Sequence, residues 1–199
     1  MGLTVYGTPR SRTMRVLWTA TELGLDFEHV PLTVEDPFLR SAEFLAINPA
    51  GTIPAIVEDG FALAESMAIN LYLTKRHAPG RLYPAALEDE ARAWRWSLWA
   101  QGQLEPWVMQ DARLAELRAA VSDAMRQEVE RALRLLDCAL ADRSWLLGDA
   151  FTVADLNVAG VLSPSRATKL DLEPHACVRD WLERCYGRSA AVAARERYA

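Results

Sequence analysis

The chain has 199 residues, 51% of them hydrophobic and 25% charged, an ordinary globular composition that excludes disorder, collagen-like repeats and a disulfide scaffold. Acidic residues outnumber basic ones on both sides of Arg76 and the net charge is -5. No clustered positive face is therefore expected, which argues against a nucleic-acid partner.

Leu3-Thr-Val-Tyr6 reads as a buried strand. Arg12 to Leu23 follows with apolar residues near helical spacing and Gly24 placed to stop the helix. Phe27 to Leu32 is a second strand, and a strand, a helix and a strand within so short a span make a βαβ unit with parallel strands. A short helical segment opened by Pro37 comes next, then two apolar runs, 54–57 and 61–63, joined through Asp59-Gly60, a strong hairpin signal. Ser66 to Arg76 resumes helical spacing. The order β-α-β-α-β-β-α is followed by His77 to Pro84, rich in proline and glycine, and then by helical patterns alone: 86–107, 113–141 (with Val121, Met125, Leu136 and Leu140 on one stripe), 151–162 and 175–186. The expected architecture is a small α/β domain over 1–77, a linker over 78–84 and an all-helical domain over 85–199.

The stretch 1–15 lacks the long apolar core of a secretion signal. The longest charge-free run, 44–57, is broken by Pro49, Gly51 and Pro54 and is too short to span a bilayer. Cys138, Cys177 and Cys185 show no paired metal spacing and fit a reducing compartment. A soluble cytoplasmic protein without a metal centre or a membrane partner is expected.

Three segments carry polar groups where chemistry is possible. In Thr8-Pro9-Arg10-Ser11-Arg12 the Ser11 hydroxyl stands at a helix start, where free amides and the helix dipole favour an anion. No His or acid in that segment is placed to deprotonate it, so a hydroxyl donating to a bound thiolate is better chemistry than a serine nucleophile. In Asn48-Pro-Ala-Gly-Thr-Ile53-Pro54 the proline opens a strand. A cis Ile53-Pro54 bond would turn the Ile53 backbone outward to pair with an extended peptide, and an ordinary trans loop proline is the alternative. Glu65-Ser66 precedes a helix and suits the ammonium and carboxylate of an α-amino acid end, or simple capping. In the helical half, Phe151-Thr152-Val-Ala-Asp155-Leu156 reads as a capping box that serves folding and contains no chemistry.

With these motifs in hand, T-P-R-S-R-T-M-R-V, N-P-A-G-T-I-P, L-A-E-S-M-A-I and F-T-V-A-D-L-N in this order, nearly the whole chain resembles a cytosolic glutathione transferase of the serine type, close to bacterial and theta/phi-like members. The resemblance implies a thioredoxin-like domain before an all-α domain. It implies glutathione as co-substrate, with Ser11 donating a hydrogen bond to the sulfur, Ile53 and Pro54 binding the cysteinyl backbone, and Glu65 and Ser66 holding the γ-glutamyl end. Thr52 stands where many relatives have a longer side chain, and Arg40 is the nearest basic candidate for the glycyl carboxylate. Tyr6, inside the first strand, is the rival for the catalytic hydroxyl. A small apolar electrophile is expected between the domains, against Arg10 on the Thr8 to Arg12 loop and against Trp107 and Met109, in a homodimer. Two other readings are a non-catalytic interaction module on the same fold, and a glutathione-dependent peroxidase, dehalogenase or ether-cleaving enzyme.

Overall fold

Four strands, β1 (Leu3–Tyr6), β2 (Phe27–Val30), β3 (Ala55–Glu58) and β4 (Phe61–Ala64), make one sheet in the order β2-β1-β3-β4. β1 runs parallel to β2 and antiparallel to β3, and β3 runs antiparallel to β4. The computed structural model describes residues 2–108, 115–167 and 170–198, with all their side chains except those of 115–125, 165 and 166.

Side chains alternate across the sheet, so each face gathers its own apolar cluster. On one face Leu3, Val5 and Ile56 pack with Val16, Leu17 and Ala20 of α1 (Thr13–Glu22) and with Ile69 and Leu73 of α3 (Ser66–His77). The other gathers Leu32, Leu39, Phe44 and Ala55, with Tyr6, Val30 and Ile53 against them; Phe44 belongs to α2 (Ala42–Ile47), which follows a 3-10 turn at Pro37–Arg40. Burying each large aliphatic side chain here contributes about 1.5–3 kcal/mol. The predicted turns are present. Gly24 has φ +68° and the Leu25 amide reaches back to the Ala20 carbonyl at 3.0 Å, closing α1. Asp59 and Gly60 both take positive φ in the hairpin.

The chain divides into two units, Met1–Tyr83 together with Gly187–Ala199, and Pro84–Tyr186. This differs from a helical domain running on to 199. A further helix, α9 (Ser189–Tyr198), joins the first unit. Arg188 grips the Glu22 carboxylate with two nitrogens, and the Tyr198 ring lies 6.2 Å from Phe27 and 5.1 Å, edge-on, from His29. Nor is 78–84 a loose connection. Leu82 and Tyr83 are buried, the Gly80 amide bonds the Tyr83 carbonyl at 2.7 Å, and the Lys75 ammonium sits over the Tyr83 ring.

The second unit contains α4 (Leu87–Trp99), a π-turn (Ala100–Leu104), α5 (Glu105–Val108), α6 (Ala115–Leu140), α7 (Val153–Ala167) and α8 (Ala176–Tyr186). Leu136 and Leu140 are buried as their stripe predicts; the side chains of Val121 and Met125 lie outside the described residues. α7 breaks at Ser163, whose φ of 40° precedes Pro164. Its start is the expected capping box, with the Thr152 amide donating to Asp155 at 2.9 Å and the Ala154 amide to the Thr152 hydroxyl at 3.3 Å. Asp155 also accepts from the Leu146 amide at 2.8 Å and from the indole of fully buried Trp181 at 2.9 Å. Among the described residues no helix is long and apolar enough to cross a membrane.

Candidate active site

The sheet register decides which loops meet. Tyr6 at the end of β1 pairs with Ala55 at the start of β3, Ala55 pairs with Ala64 at the end of β4, and Tyr6 also pairs with Val30 at the end of β2. The segment leaving β1, the segment entering β3 and the segment leaving β4 therefore lie side by side at one end of the sheet. These are the Gly7–Arg12, Asn48–Pro54 and Glu65-Ser66 segments.

Ser11 closes a turn after β1: its amide bonds the Thr8 carbonyl at 3.1 Å and its hydroxyl donates to the same carbonyl at 2.7 Å. The hydroxyl oxygen accepts from the Thr13 amide at 3.2 Å and lies 2.9 Å from the Thr13 hydroxyl. Ser11 is half-buried, whereas Thr13 is completely buried. Arg10, beside it, is exposed. Gly7 leaves β1 at φ +129°, and a Cβ there would stand 2.1 Å from the Thr13 hydroxyl oxygen and 3.0 Å from Ile53 Cβ. Only glycine fits. Its amide bonds the Val30 carbonyl at 2.9 Å, and His29 Nε2 donates to its carbonyl at 2.8 Å.

The Ile53-Pro54 peptide bond is cis. The loop before it is pinned by buried Asn48, whose side-chain amide donates to the Thr52 carbonyl at 2.8 Å and to its hydroxyl at 3.2 Å. Arg40 reaches the same loop, with Nη1 bonded to the Gly51 carbonyl at 2.8 Å. Thr52 and Arg40 are exposed, Ile53 half-buried and Pro54 buried.

Glu65 precedes α3 at φ 72°, ψ 113° without bonding the helix through its side chain. A left-handed backbone costs a non-glycine residue roughly 1–3 kcal/mol and persists where its surroundings enforce it. Ser66 is the first residue of the helix and is buried, its hydroxyl 3.4 Å from Arg15 Nη1. Simple capping therefore does not describe this pair, in contrast to Ser41, which bonds the Phe44 amide at 3.1 Å at the start of α2. An exposed carboxylate thus stands beside a helix start that its own Ncap side chain does not cap.

Tyr6, the rival hydroxyl, packs its ring edge-on against Phe44 at 5.8 Å. Burial, then the charges of Glu28 and Glu43, push its phenol above the ordinary tyrosine range, which makes it a reluctant proton donor. Trp107 is half-buried on α5 of the second unit, and Met109 lies outside the described residues. The site end of the sheet thus holds Ser11, Thr52, Ile53, Pro54, Glu65 and Ser66, with Arg40 attached through Gly51.

Sequence reasoning missed Thr13, Arg15, His29 and Asn48. Arg15 was detectable as a charge among the apolar positions of a predicted helix, and Asn48 as an Asn-Pro turn former. Thr13 and His29 carry no such signal, because their partners come from the turn before α1 and from the end of the neighbouring strand.

Known proteins resemble the chain over most of its length. Residues 1–75 match the family model of the glutathione S-transferase N-terminal domain, and residues 119–184 that of the glutathione S-transferase C-terminal domain. The chain is 32% identical to glutathione S-transferase 3 of Zea mays, over 94% of this chain and 90% of that one. It is 30% identical to glutathione S-transferase GstB of Escherichia coli K12, over 94% and 95%. A solved structure of glutathione S-transferase-I bound with lactoylglutathione superposes with a TM-score of 0.82 at 25% identity, covering 98% of both chains. The chain belongs to the glutathione S-transferase family.

Proposed function

We propose that the chain is a glutathione transferase of the serine type, which conjugates the glutathione thiolate to small apolar electrophiles. The observation that carries the reading is the convergence, set by the sheet register, of the Ser11 hydroxyl, the Ile53-Pro54 segment and the Glu65-Ser66 pair at one end of the sheet. Glutathione lies along that end with its γ-glutamyl ammonium on Glu65 and its α-carboxylate at Ser66 and the start of α3. Its cysteinyl backbone pairs with Ile53 beside Pro54, and its glycyl end points toward Thr52 and Arg40. Arg10 on its exposed loop is assigned to the electrophile.

Ser11 turns its proton from the Thr8 carbonyl to the glutathione sulfur. A free thiol is only a few per cent ionised at neutral pH, and stabilising the anion by about 2.7 kcal/mol lowers its pKa by two units. The thiol proton passes to solvent. The sulfur lone pair then forms the new C–S bond, while with an aryl chloride the C–Cl bond breaks and chloride leaves with its electron pair. Holding both reactants and a pre-ionised sulfur accounts for the acceleration, with no covalent enzyme intermediate.

The protein works as two copies in a reducing compartment. Leu87, Trp94 and Leu98 lie exposed along one face of α4, an apolar stripe suited to a second copy, and Cys138, Cys177 and Cys185 are not joined in disulfides.

Ser11→Ala is expected to lower kcat/KM with glutathione and chlorodinitrobenzene about a hundredfold, while retention on immobilised glutathione stays within several-fold. Wild-type protein that neither binds the tripeptide nor turns over the aryl chloride would be a binding module and not an enzyme. Turnover of peroxides with no aryl conjugation would move the chemistry to peroxide reduction.

A further inference from the structure

Ser11 has one proton and two lone pairs, and the structure accounts for all three. The Thr8 carbonyl, 2.7 Å away, can only accept, so the single Ser11 proton goes to it. The Thr13 amide, 3.2 Å away, can only donate, and fills one lone pair. At 2.9 Å the Thr13 hydroxyl must then be the donor to the second lone pair, since Ser11 has no proton left to give it. Thr13 is fully excluded from solvent, and the space its hydroxyl occupies exists because residue 7 has no Cβ.

From this hydrogen count we infer that Thr13 is a positioning residue which polarises Ser11, so that the two hydroxyls act in series on the sulfur of the bound thiol. The inference rests on the assignment of Ser11 to that sulfur. When the sulfur arrives, the Ser11 hydrogen leaves the Thr8 carbonyl for the anion, and both donors from Thr13 stay in place. An oxygen that accepts two hydrogen bonds is a stronger donor through its own hydrogen, because chained hydrogen bonds polarise one another. Thr13 also fixes where the Ser11 oxygen stands, so the hydroxyl rotates about a held oxygen atom. The clamp reaches further back. Gly7, against which Thr13 packs, is held through its amide by Val30 and through its carbonyl by His29. The donor chain is thus seated on the end of the sheet.

The test uses the full chain with reduced glutathione and follows the ultraviolet absorbance of the thiolate against pH in wild type, Thr13→Val and Thr13→Ser. Thr13→Val keeps the shape and removes the hydroxyl. Its bound thiol is expected to be about three- to tenfold less ionised at mildly acidic pH, equivalent to a rise of about half to one pKa unit. Its kcat/KM with chlorodinitrobenzene falls in parallel there and converges on the wild-type value in alkali, where the sulfur ionises unaided, while KM for glutathione stays within about threefold. Thr13→Ser is expected to restore the wild-type profile. A loss of packing alone would lower activity equally at every pH. If Thr13→Val does not fold, Thr13→Ala is read in its place.

Superimposable titrations of wild type and the folded hydroxyl-free variant overturn the inference, as does a folded Thr13→Ser that behaves like Thr13→Val. In both cases the assignment of Ser11 stands as long as wild type holds an ionised thiol. Wild type that holds none overturns both.

Discussion

Gly7 shows how much of the site is decided by one missing atom. With its φ of +129° and only 2.1 Å between the place of a Cβ and the Thr13 hydroxyl oxygen, alanine has nowhere to go but into the Ser11 hydrogen bonds. Gly7→Ala is expected to lower stability by about 2–4 kcal/mol through backbone strain and overpacking, and to reduce conjugation beyond what the stability loss explains. Urea unfolding checks the first and kinetics at low temperature the second; an unchanged unfolding midpoint would mean that the loop relaxes around the methyl group. At this scale the sequence is legible where chemistry is local. Ser11 before a helix, Pro54 at a strand start and Glu65-Ser66 before α3 are all readable from their neighbours in the chain. Arg15 meets Ser66 and His29 meets Gly7 only because the fold brings together residues 51 and 22 positions apart. No local pattern announces such pairs.

Among the elements, the start of α7 depends on a side chain that offers an oxygen on both sides. Asp155 receives Leu146 and Trp181 on one oxygen and the amide and hydroxyl of Thr152 on the other. An asparagine there must turn its NH2 toward donors whichever way it faces. Asp155→Asn is therefore expected to cost about 2–4 kcal/mol, with loss of the near-ultraviolet signal of buried Trp181; a variant as stable as wild type would show that this network contributes no net stability. The capping box itself was plain in the sequence, because S/T-x-x-D/E before an apolar run is a local signature. Its reach to Trp181, far along the chain, was not. The reverse holds for α9. Its sequence, SAAVAARERY, has no apolar stripe wide enough to signal a buried helix. It is fixed from outside, by small Ala191 and Ala194 packed closely and by the Arg188–Glu22 and Tyr198–His29 contacts.

For the whole molecule, the predicted order of strands and helices is present with two changes, a π-turn inside 86–107 and the added helix α9, and the chain is partitioned differently. Element order follows from periodicity, whereas membership of a unit is settled by long-range packing, which returns the last helix to the sheet. The proposed pairing of two copies belongs to this scale as well. Trp94 and Leu98 are one turn apart on α4 and 45% and 69% exposed, so neither contributes much to the interior of the isolated chain. Replacing both by Glu is expected to give a folded monomer in analytical ultracentrifugation, with helical content unchanged by circular dichroism. A doubly charged variant that still sediments as a dimer would move the interface elsewhere.

The unit that carries Ser11 is interrupted: the chain leaves it at Tyr83 and comes back at Gly187. A ribosome making roughly 5–20 residues per second needs several seconds to tens of seconds to cover that detour. Throughout it the α1 surface that α9 will cover is still bare, while the stretch of the helical unit is continuous. Translation thus releases the two units in the opposite order to their start along the message, and a product cut short before residue 189 would keep every proposed glutathione contact yet lack the helix that packs behind them.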